Sequence, residues 1–220
     1  MARISPDLSF ELPLWQAGVL HLAGLDEAGR GAWAGPVSAG AVILPQDGQD
    51  VDLCARLKGV RDSKQMTPRQ RRAWAINIRR IALAWGVGFA SQAEIDALGI
   101  LPATRLAMQR ALAQLALPPQ HLLVDAVRLP AVPMPQTVLI KGDVHCLSIA
   151  AASVLAKTAR DELLVAWEQE YPGYGFARHK GYGTAAHRQA LQLKGPCPLH
   201  RFSFAPIRDL NVKEHPDFEV

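Results

Sequence analysis

The segment Gly24-Leu-Asp-Glu-Ala-Gly-Arg-Gly31 places two adjacent carboxylates between a largely apolar run and a glycine-rich turn. The run, His21–Leu25, predicts a buried strand, and the two glycines that follow the acids predict a loop. An acidic pair at the end of a buried strand is energetically costly unless something compensates it. Repulsion between neighbouring carboxylates raises one pKa unless a cation lies between them. Asp26 and Glu27 are therefore the first candidates for a functional site.

Two further acidic residues follow strand-like runs. Asp125 ends the run Leu122–Val124, and Asp143 follows Val138–Ile140 and precedes a long predicted helix. Acids at several strand ends converge at one edge of a sheet, and their oxygens suit hard divalent cations. Two such cations about 4 Å apart activate water and stabilise the leaving oxygen in phosphodiester cleavage. Taken singly, each acid has an equally good alternative, because Asp143 could cap the helix and Asp125 could be a turn residue.

Strand-like runs come first along the chain, and helical segments alternate with them later. This pattern indicates one α/β domain with helices packed against a central mixed sheet. Besides His21–Leu25, the predicted strands are Val37–Leu44, Trp85–Ala90, Leu122–Val127 and Val138–Ile140. The predicted helices are Pro68–Ala84 with Thr67 as N-cap, Gln92–Leu117 broken at Gly99 and Pro102, and Cys146–Glu170, whose small residues Ala150–Ser153 allow close packing.

Length and composition limit the class of protein. A chain of 220 residues with 49% hydrophobic residues predicts one folded domain and excludes intrinsic disorder. We place this domain at 20–210, after an N-terminal segment 1–19 and before a polar, loose tail 211–220. No apolar run is long enough to cross a membrane, and the first twenty residues lack an export signal, so we expect a cytoplasmic protein. We also expect a monomer. Three widely spaced cysteines suggest neither a disulfide framework nor a zinc site.

Basic residues are concentrated in two tracts, although the net charge is only +4. The tract Arg56–Arg80 carries nine basic residues and one acid, Asp62, and the tract Tyr171–Arg208 contains no Asp or Glu. A lopsided soluble surface would explain either tract alone. The two together favour a surface that binds a polyanion such as nucleic acid.

The segment Asp26–Val37, DEAGRGAWAGPV, resembles the opening motif of bacterial ribonuclease HII, a type 2 ribonuclease H. The resemblance continues in the family's order from Gly24 to about Pro206. The further matching blocks are Arg61–Lys64, Val124-Asp125, Lys141–Asp143, Ser148–Lys157, Arg160-Asp161, His179–Tyr182, His187-Arg188 and His200–Phe204.

The resemblance implies a ribonuclease H-like fold with a C-terminal helical extension. It implies Mn²⁺- or Mg²⁺-dependent endonucleolytic cleavage of the RNA strand of RNA–DNA hybrids, with two ions bound in the presence of substrate. It also implies incision 5′ to single ribonucleotides embedded in duplex DNA, leaving 5′-phosphate and 3′-hydroxyl ends. Such an activity belongs to ribonucleotide excision repair and DNA replication.

The resemblance also assigns residues by position. It implies that the four acids are metal ligands and that the loop after the first strand recognises the ribose 2′-OH. It also implies that one tyrosine stacks on the deoxyribose at the RNA–DNA junction. Asp161 is a rival fourth ligand, but its spacing from Lys157 favours an i,i+4 ion pair. The assigned residues are Asp26, Glu27, Asp125 and Asp143 for metal, Gly29, Arg30 and Gly31 for the 2′-OH, Tyr182 for the junction, and Lys64, Lys141 and Lys157 for phosphates.

Three positions depart from the family's pattern. Ala32-Trp33 replaces the commoner Pro-Leu, which is expected to alter loop packing only. Ala126 stands where glycine is usual, which bears on the local backbone geometry. Gly183 replaces a proline after Tyr182, so we expect the tyrosine to be held less rigidly and the junction preference to be softer.

Two other functions compete with this interpretation. One is a metal-independent ribonuclease that uses His179, His187 or His200 as acid and base, with the 2′-OH as nucleophile. The other is a module that binds hybrids without cleaving them.

Overall fold

The computed structural model describes residues 5–46 and 52–214, and its centre is a five-stranded mixed sheet. The order across the sheet is β3-β2-β1-β4-β5, with β1 antiparallel to β2 and parallel to β4. This arrangement confirms the predicted α/β class with a mixed sheet. The strands are β1 (Leu22–Ala28), β2 (Val37–Ile43), β3 (Ala84–Ala90), β4 (His121–Asp125) and β5 (Gln136–Leu139).

Helices cover both faces of the sheet and continue past it into a C-terminal extension, as predicted. Within the described residues they are α1 (Glu11–Gln16), α2 (Leu53–Arg56), α3 (Pro68–Ile81), α4 (Gln92–Leu98), α5 (Ile100–Ala113), α6 (Gly142–His145), α7 (Leu147–Glu170), α8 (Phe176–His179), α9 (Ala185–Lys194) and α10 (Ala205–Glu214). None of these helices is both long enough and apolar enough to cross a membrane.

The long helix α7 lies directly on strands β1 and β2. A Cβ atom on Gly24 would lie 2.3 Å from the carbonyl carbon of Ser148, and one on Gly40 would lie 2.3 Å from the oxygen of Ala152. The small residues of α7 therefore allow the close contact that the sequence predicted. Helix α3 packs beside α7, and α5 covers the opposite face of the sheet.

Several element ends differ from their predicted positions. Helix α3 begins at Pro68 with the predicted N-cap Thr67, which forms a capping box with Gln70, but it ends at Ile81. Gly99, with φ of +84°, separates α4 from α5, whereas Pro102 lies in the first turn of α5, where its missing N–H does no harm. Strand β4 ends at Asp125 because Ala126 has a φ of +52°.

The two flanking segments have structure of their own. Helix α10 continues through Glu214, into the first four residues of the predicted tail, and 215–220 lie outside the described residues, so the loose tail stays a prediction. At the other end, Leu8, Glu11 and Trp15 are buried against the main core. The domain limits of 20 and 210 stay predictions.

Glu11 provides helix α7 with a cap from outside that helix. The N-cap residue of α7, Cys146, makes no capping hydrogen bond with its own side chain. Instead, Glu11 Oε1 accepts a hydrogen bond from the Ser148 amide at 2.8 Å and from the Cys146 thiol at 3.1 Å. Burial raises the pKa of Glu11, and these donors oppose the rise. The N-terminal segment thus satisfies polar groups at the start of the central helix.

We expect Glu11→Ala to lower the free energy of unfolding by about 1–3 kcal/mol, because buried donors lose their acceptor. Glu11→Gln keeps an acceptor oxygen and loses less. Urea unfolding measures both, with the exposed Glu170→Ala, at the other end of α7, as the matched control. Equal stability of Glu11→Ala and Glu170→Ala would contradict the capping role.

Candidate active site

The four predicted acids lie at one edge of the sheet. Leu25 of β1 pairs in parallel with Val124 of β4, so Asp26 and Asp125 follow at the same level on neighbouring strands. Asp125 Oδ1 accepts a hydrogen bond from the Gly142 amide at 2.7 Å, which fastens the start of α6, and with it Asp143, to the same edge. The convergence expected from the strand pattern is therefore present.

Neither simple alternative accounts for these acids. Asp143 lies inside α6, whose N-cap position is Lys141, and the N-cap position of α7 is Cys146, so Asp143 caps neither helix. Asp125 does precede a turn, but its side chain binds Gly142 across to the next element. The left-handed φ of Ala126 in this turn explains why glycine suits that position.

Burial and mutual repulsion shift the pKa values of the acids. Asp26 is 2% exposed. Burial raises its pKa well above the usual range, and the charge of Glu27 raises it further, followed by those of Asp125 and Asp143. Burial also raises the pKa of Glu27 and of Asp143. The edge of the sheet therefore holds more negative charge than the protein itself neutralises.

Two basic side chains relieve part of this charge. Lys64 Nζ lies 3.5 Å from Asp143 Oδ2, and Arg30 donates a hydrogen bond to Glu27 Oε1 at 3.1 Å. Burial lowers the pKa of Lys64, but Asp143 and Asp26 raise it more, so the pKa is raised overall. The ammonium of Lys64 therefore stays charged beside the acids.

Two oxygens of the acidic pair have no partner. Asp26 Oδ2 and Glu27 Oε2 are buried and, among the described residues, receive no hydrogen bond. A buried charged oxygen without a donor is strongly destabilising. Anionic oxygen donors of this kind fit a hard divalent cation. Within the described residues, no group of three or more His, Cys, Asp or Glu side chains already closes into a metal-binding set, so the acids share an edge without forming a finished ligand shell.

A cavity of about 480 Å³ lies beside the acidic edge. It brings the predicted 2′-OH loop, the predicted junction tyrosine and two of the three predicted lysines to one place. Lys141 is exposed and does not line this cavity. The lining residues are Glu27, Ala28, Gly29, Arg30, Gly31, Ser63, Lys64, Arg71, Lys157 and Tyr182.

Two fully buried arginines, Arg201 and Arg160, fix the backbone around this cavity by hydrogen bonds to carbonyl groups. The sequence did not predict this role. Arg201 donates hydrogen bonds to the carbonyls of Gly29 at 2.7 Å, Arg30 at 2.8 Å and Gly35 at 2.9 Å. Burial lowers the pKa of Arg201 to about 9, which leaves the guanidinium charged at neutral pH. It therefore fixes the carbonyl side of the loop after β1.

Arg160 of α7 also donates hydrogen bonds to three backbone carbonyls near this loop. It donates to the carbonyls of Ala34 and Lys180, both at 2.9 Å, and of Pro36 at 2.8 Å. Its side chain also lies 2.0 Å from where a Cβ atom of Gly29 would be, and Gly29 has a φ of +93°. Only glycine fits there. The one sequence signal for Arg160 is a long cationic side chain within the predicted core helix.

Asp161 is occupied by basic partners on α7 and α3. It forms the predicted i,i+4 ion pair with Lys157, and Arg71 donates to it at 2.8 Å. The interpretation of Asp161 as a structural partner rather than a fourth ligand is thus supported. Lys157 lines the cavity while paired in this way.

Three histidines lie in the small core of the C-terminal extension. His187 and His200 are fully buried, and His179 is 9% exposed. General acid–base work requires contact with substrate, so their burial argues against the metal-independent alternative.

Two of these histidines, His187 and His200, form a chain of hydrogen bonds that ends at the backbone carbonyl of Tyr182. The Tyr182 carbonyl can only accept, so His187 Nδ1 donates to it at 3.0 Å. His187 Nε2 is then an acceptor, and His200 Nε2 donates to it at 3.0 Å. The amide of Cys197 completes the chain by donating to His200 Nδ1 at 2.9 Å. Protonation of His187 at Nε2 would place two N–H donors against each other.

Fold and site together define a class, the α/β nucleases that work with divalent metal. The family model described as Ribonuclease HII matches residues 23–207. The chain belongs to the ribonuclease HII family. It is a metal-dependent type 2 ribonuclease H that hydrolyses the RNA strand of RNA–DNA hybrids.

Known relatives agree with this assignment. The chain is 54% identical to ribonuclease HII of Synechococcus sp. (strain JA-3-3Ab), covering 96% of this chain and 93% of that protein. It is 53% identical to ribonuclease HII of Roseiflexus castenholzii, covering 93% and 91%. The crystal structure of ribonuclease H2 from Pyrococcus horikoshii OT3 superposes with a TM-score of 0.72 at 26% identity, over 88% of this chain and 98% of that one. Bst-RNase HIII in complex with Mn²⁺ shares the fold, with a TM-score of 0.66 at 21% identity, over 92% and 72%.

The histidine chain predicts a pH dependence of stability. Burial, together with the charge of His179, lowers the pKa of both His187 and His200 to about 4. A lowered histidine pKa favours the folded state fully above the unfolded value of 6.5, and this stabilisation is lost as the pH falls towards 4. The free energy of unfolding should therefore decrease over that range.

His200→Gln should show a shallower decrease, because the variant carries one histidine fewer to protonate. Urea unfolding of parent and variant at several pH values measures the two slopes, and carboxylates common to both cancel in the difference. Identical slopes would contradict the neutral-histidine chain.

Proposed function

We propose that this enzyme incises duplex DNA 5′ to a single embedded ribonucleotide, in addition to hydrolysing RNA in hybrids, and that it leaves 5′-phosphate and 3′-hydroxyl ends. The observation that carries the proposal is the pair of buried, unpartnered oxygens on Asp26 and Glu27. They lie next to a cavity lined by the glycine loop and Tyr182. The acidic sheet edge, which attracts cations, thus adjoins a cavity whose lining can contact a sugar.

The proposed metal ligands are the four acids at the sheet edge, and the proposed cofactor is two Mn²⁺ or Mg²⁺ ions. The ions, when bound, supply activation of the attacking water and stabilisation of charge on the departing 3′ oxygen. Asp26 and Asp125 are fixed by their strands, and Asp143 is fixed through the Gly142–Asp125 hydrogen bond. Lys64 balances the charge of Asp143 and faces solvent, with its side chain 72% exposed.

The loop Gly29–Gly31 is proposed to recognise the ribose 2′-OH through its main chain. Arg201 engages the carbonyls of Gly29 and Arg30. Among the described residues, none accepts a hydrogen bond from the amides of Arg30 and Gly31, and there is open space beside Gly31. These amides can therefore donate to a sugar hydroxyl, which is the group that separates RNA from DNA.

Tyr182 is proposed to stack on the deoxyribose that follows the ribonucleotide. Its ring lines the same cavity, 5.6 Å from the ammonium of Lys157 and 5.4 Å from the guanidinium of Arg160. Both cations come from α7, so the ring has a defined position relative to the glycine loop that Arg160 also contacts. The glycine loop can then contact a ribose while Tyr182 contacts the deoxyribose that follows it.

Phosphate contacts are proposed for Lys64, Lys157 and Lys141, which lies further out on the surface. The tract Arg56–Arg80 includes Lys64 and α3, and the tract Tyr171–Arg208 includes Tyr182, so both basic tracts contribute to the lining of the cavity. Binding should weaken as salt rises, because phosphate contacts release counterions.

We expect Asp26→Asn to lose cleavage by about 100-fold or more, because a neutral amide is a poor ligand for a hard cation. Hybrid affinity should stay within about threefold, since binding depends on phosphate contacts elsewhere. The measurement uses a labelled duplex with one ribonucleotide, with Mn²⁺ or with EDTA, together with binding in EDTA. Asp209→Asn, at an exposed carboxylate paired with Arg208, is the matched control.

Three results would contradict the proposal. They are full activity of Asp26→Asn, full activity of the parent in EDTA, and products that end in a 2′,3′-cyclic phosphate.

A further inference from the structure

Gly183 lacks a side chain because the indole of Trp33 fills the space beside it. A Cβ atom on Gly183 would lie 2.2 Å from Cε2 and Cζ2 of Trp33. The backbone of Gly183 does not require glycine, because its φ is not in the left-handed region. The two residues lie 150 positions apart in the sequence numbering, yet the size of one fixes the size of the other.

Trp33 also contacts the segment on the other side of Tyr182. Its amide donates to the Gly181 carbonyl at 2.8 Å. Its ring centroid lies 5.6 Å from that of His187, the residue that donates to the Tyr182 carbonyl. The indole thus touches the residue after Tyr182 and the imidazole that holds its backbone, while its main chain binds the residue before it.

The main chain of Trp33 is tied equally to the 2′-OH loop. Trp33 follows Gly31 by two residues, and its carbonyl accepts a hydrogen bond from the Arg201 amide at 2.8 Å. The side chain of the same Arg201 fixes the carbonyls of Gly29 and Arg30. One residue therefore sets the distance between the loop that reads the ribose and the tyrosine that reads the next sugar.

We propose that Trp33 is a positioning residue for Tyr182 and that Trp33 and Gly183 form a matched pair that determines the preference for an RNA–DNA junction. This inference rests on the proposed function, in which Tyr182 recognises the junction deoxyribose. From the sequence, Gly183 predicts a loosely held tyrosine, and Trp33 predicts altered loop packing only. The contact between them means that the indole supports the tyrosine segment that a proline would otherwise stiffen.

The test compares two substrates, a duplex with one embedded ribonucleotide and a continuous RNA–DNA hybrid. The measured quantity is the ratio of kcat/KM on the first substrate to kcat/KM on the second. Trp33→Leu should lower this ratio by about 10-fold, because a small displacement of a positioning group costs much of the rate at the sugar it reads. Trp33→Phe, which keeps an aromatic ring, should lower it less.

Gly183→Ala alone should also lower the ratio, because the new methyl group must displace the indole. The double variant Trp33→Leu with Gly183→Ala should recover most of the ratio, since leucine leaves room for that methyl group. Recovery in the double variant is a result that simple loss of stability does not produce. Trp85→Leu, at a partly exposed tryptophan on β3, is the matched control and should leave the ratio unchanged.

Tyr182→Ala separates failure of this inference from failure of the proposed function. An unchanged ratio in Tyr182→Ala would remove the junction role of the tyrosine and overturn both. A lowered ratio in Tyr182→Ala with an unchanged ratio in Trp33→Leu and Gly183→Ala would overturn only the matched pair. A loss of the ratio in the double variant equal to the combined losses of the two single variants would also overturn only the matched pair.

Discussion

Repulsion among four carboxylates at one sheet edge is the constraint on which the rest of the site depends. Burying such charges costs several kcal/mol per ion unless they are compensated. The fold accepts this cost by holding Asp26 and Asp125 in adjacent parallel strands and fastening Asp143 through the Gly142 amide. Lys64 and Arg30 neutralise part of the charge, and two buried oxygens remain without a donor. We propose that a divalent cation neutralises that residual charge.

The proposed recognition of the two sugars depends on a second set of buried charges, the guanidiniums of Arg160 and Arg201. Each is fully buried and holds three backbone carbonyls, so neither needs an acidic partner. Between them they fix the loop after β1 and the start of the Tyr182 segment. Helix α7 carries Arg160 and lies on the strand that carries Asp26, so the reading surface and the acidic edge share one rigid support.

The sequence predicted what depends on local pattern. Apolar runs ending in acids gave the strands and the convergence of Asp26, Asp125 and Asp143, and the spacing of Lys157 and Asp161 gave their ion pair. Contacts between residues far apart in sequence left no local signal, as with Glu11 capping α7 or Arg201 reaching Gly29. The extension of α10 beyond Asp209 was not predicted for a related reason, because polar composition indicates exposure and does not exclude a helix.

We propose that the four acids bind divalent cations at the sheet edge. Anomalous diffraction from crystals of this protein grown with Mn²⁺ and an RNA–DNA hybrid tests it most directly, because the anomalous signal locates the metal independently of the refined side chains. We expect anomalous peaks bonded to oxygens of Asp26, Glu27, Asp125 and Asp143. Peaks confined to other residues, with none at this edge, would contradict it.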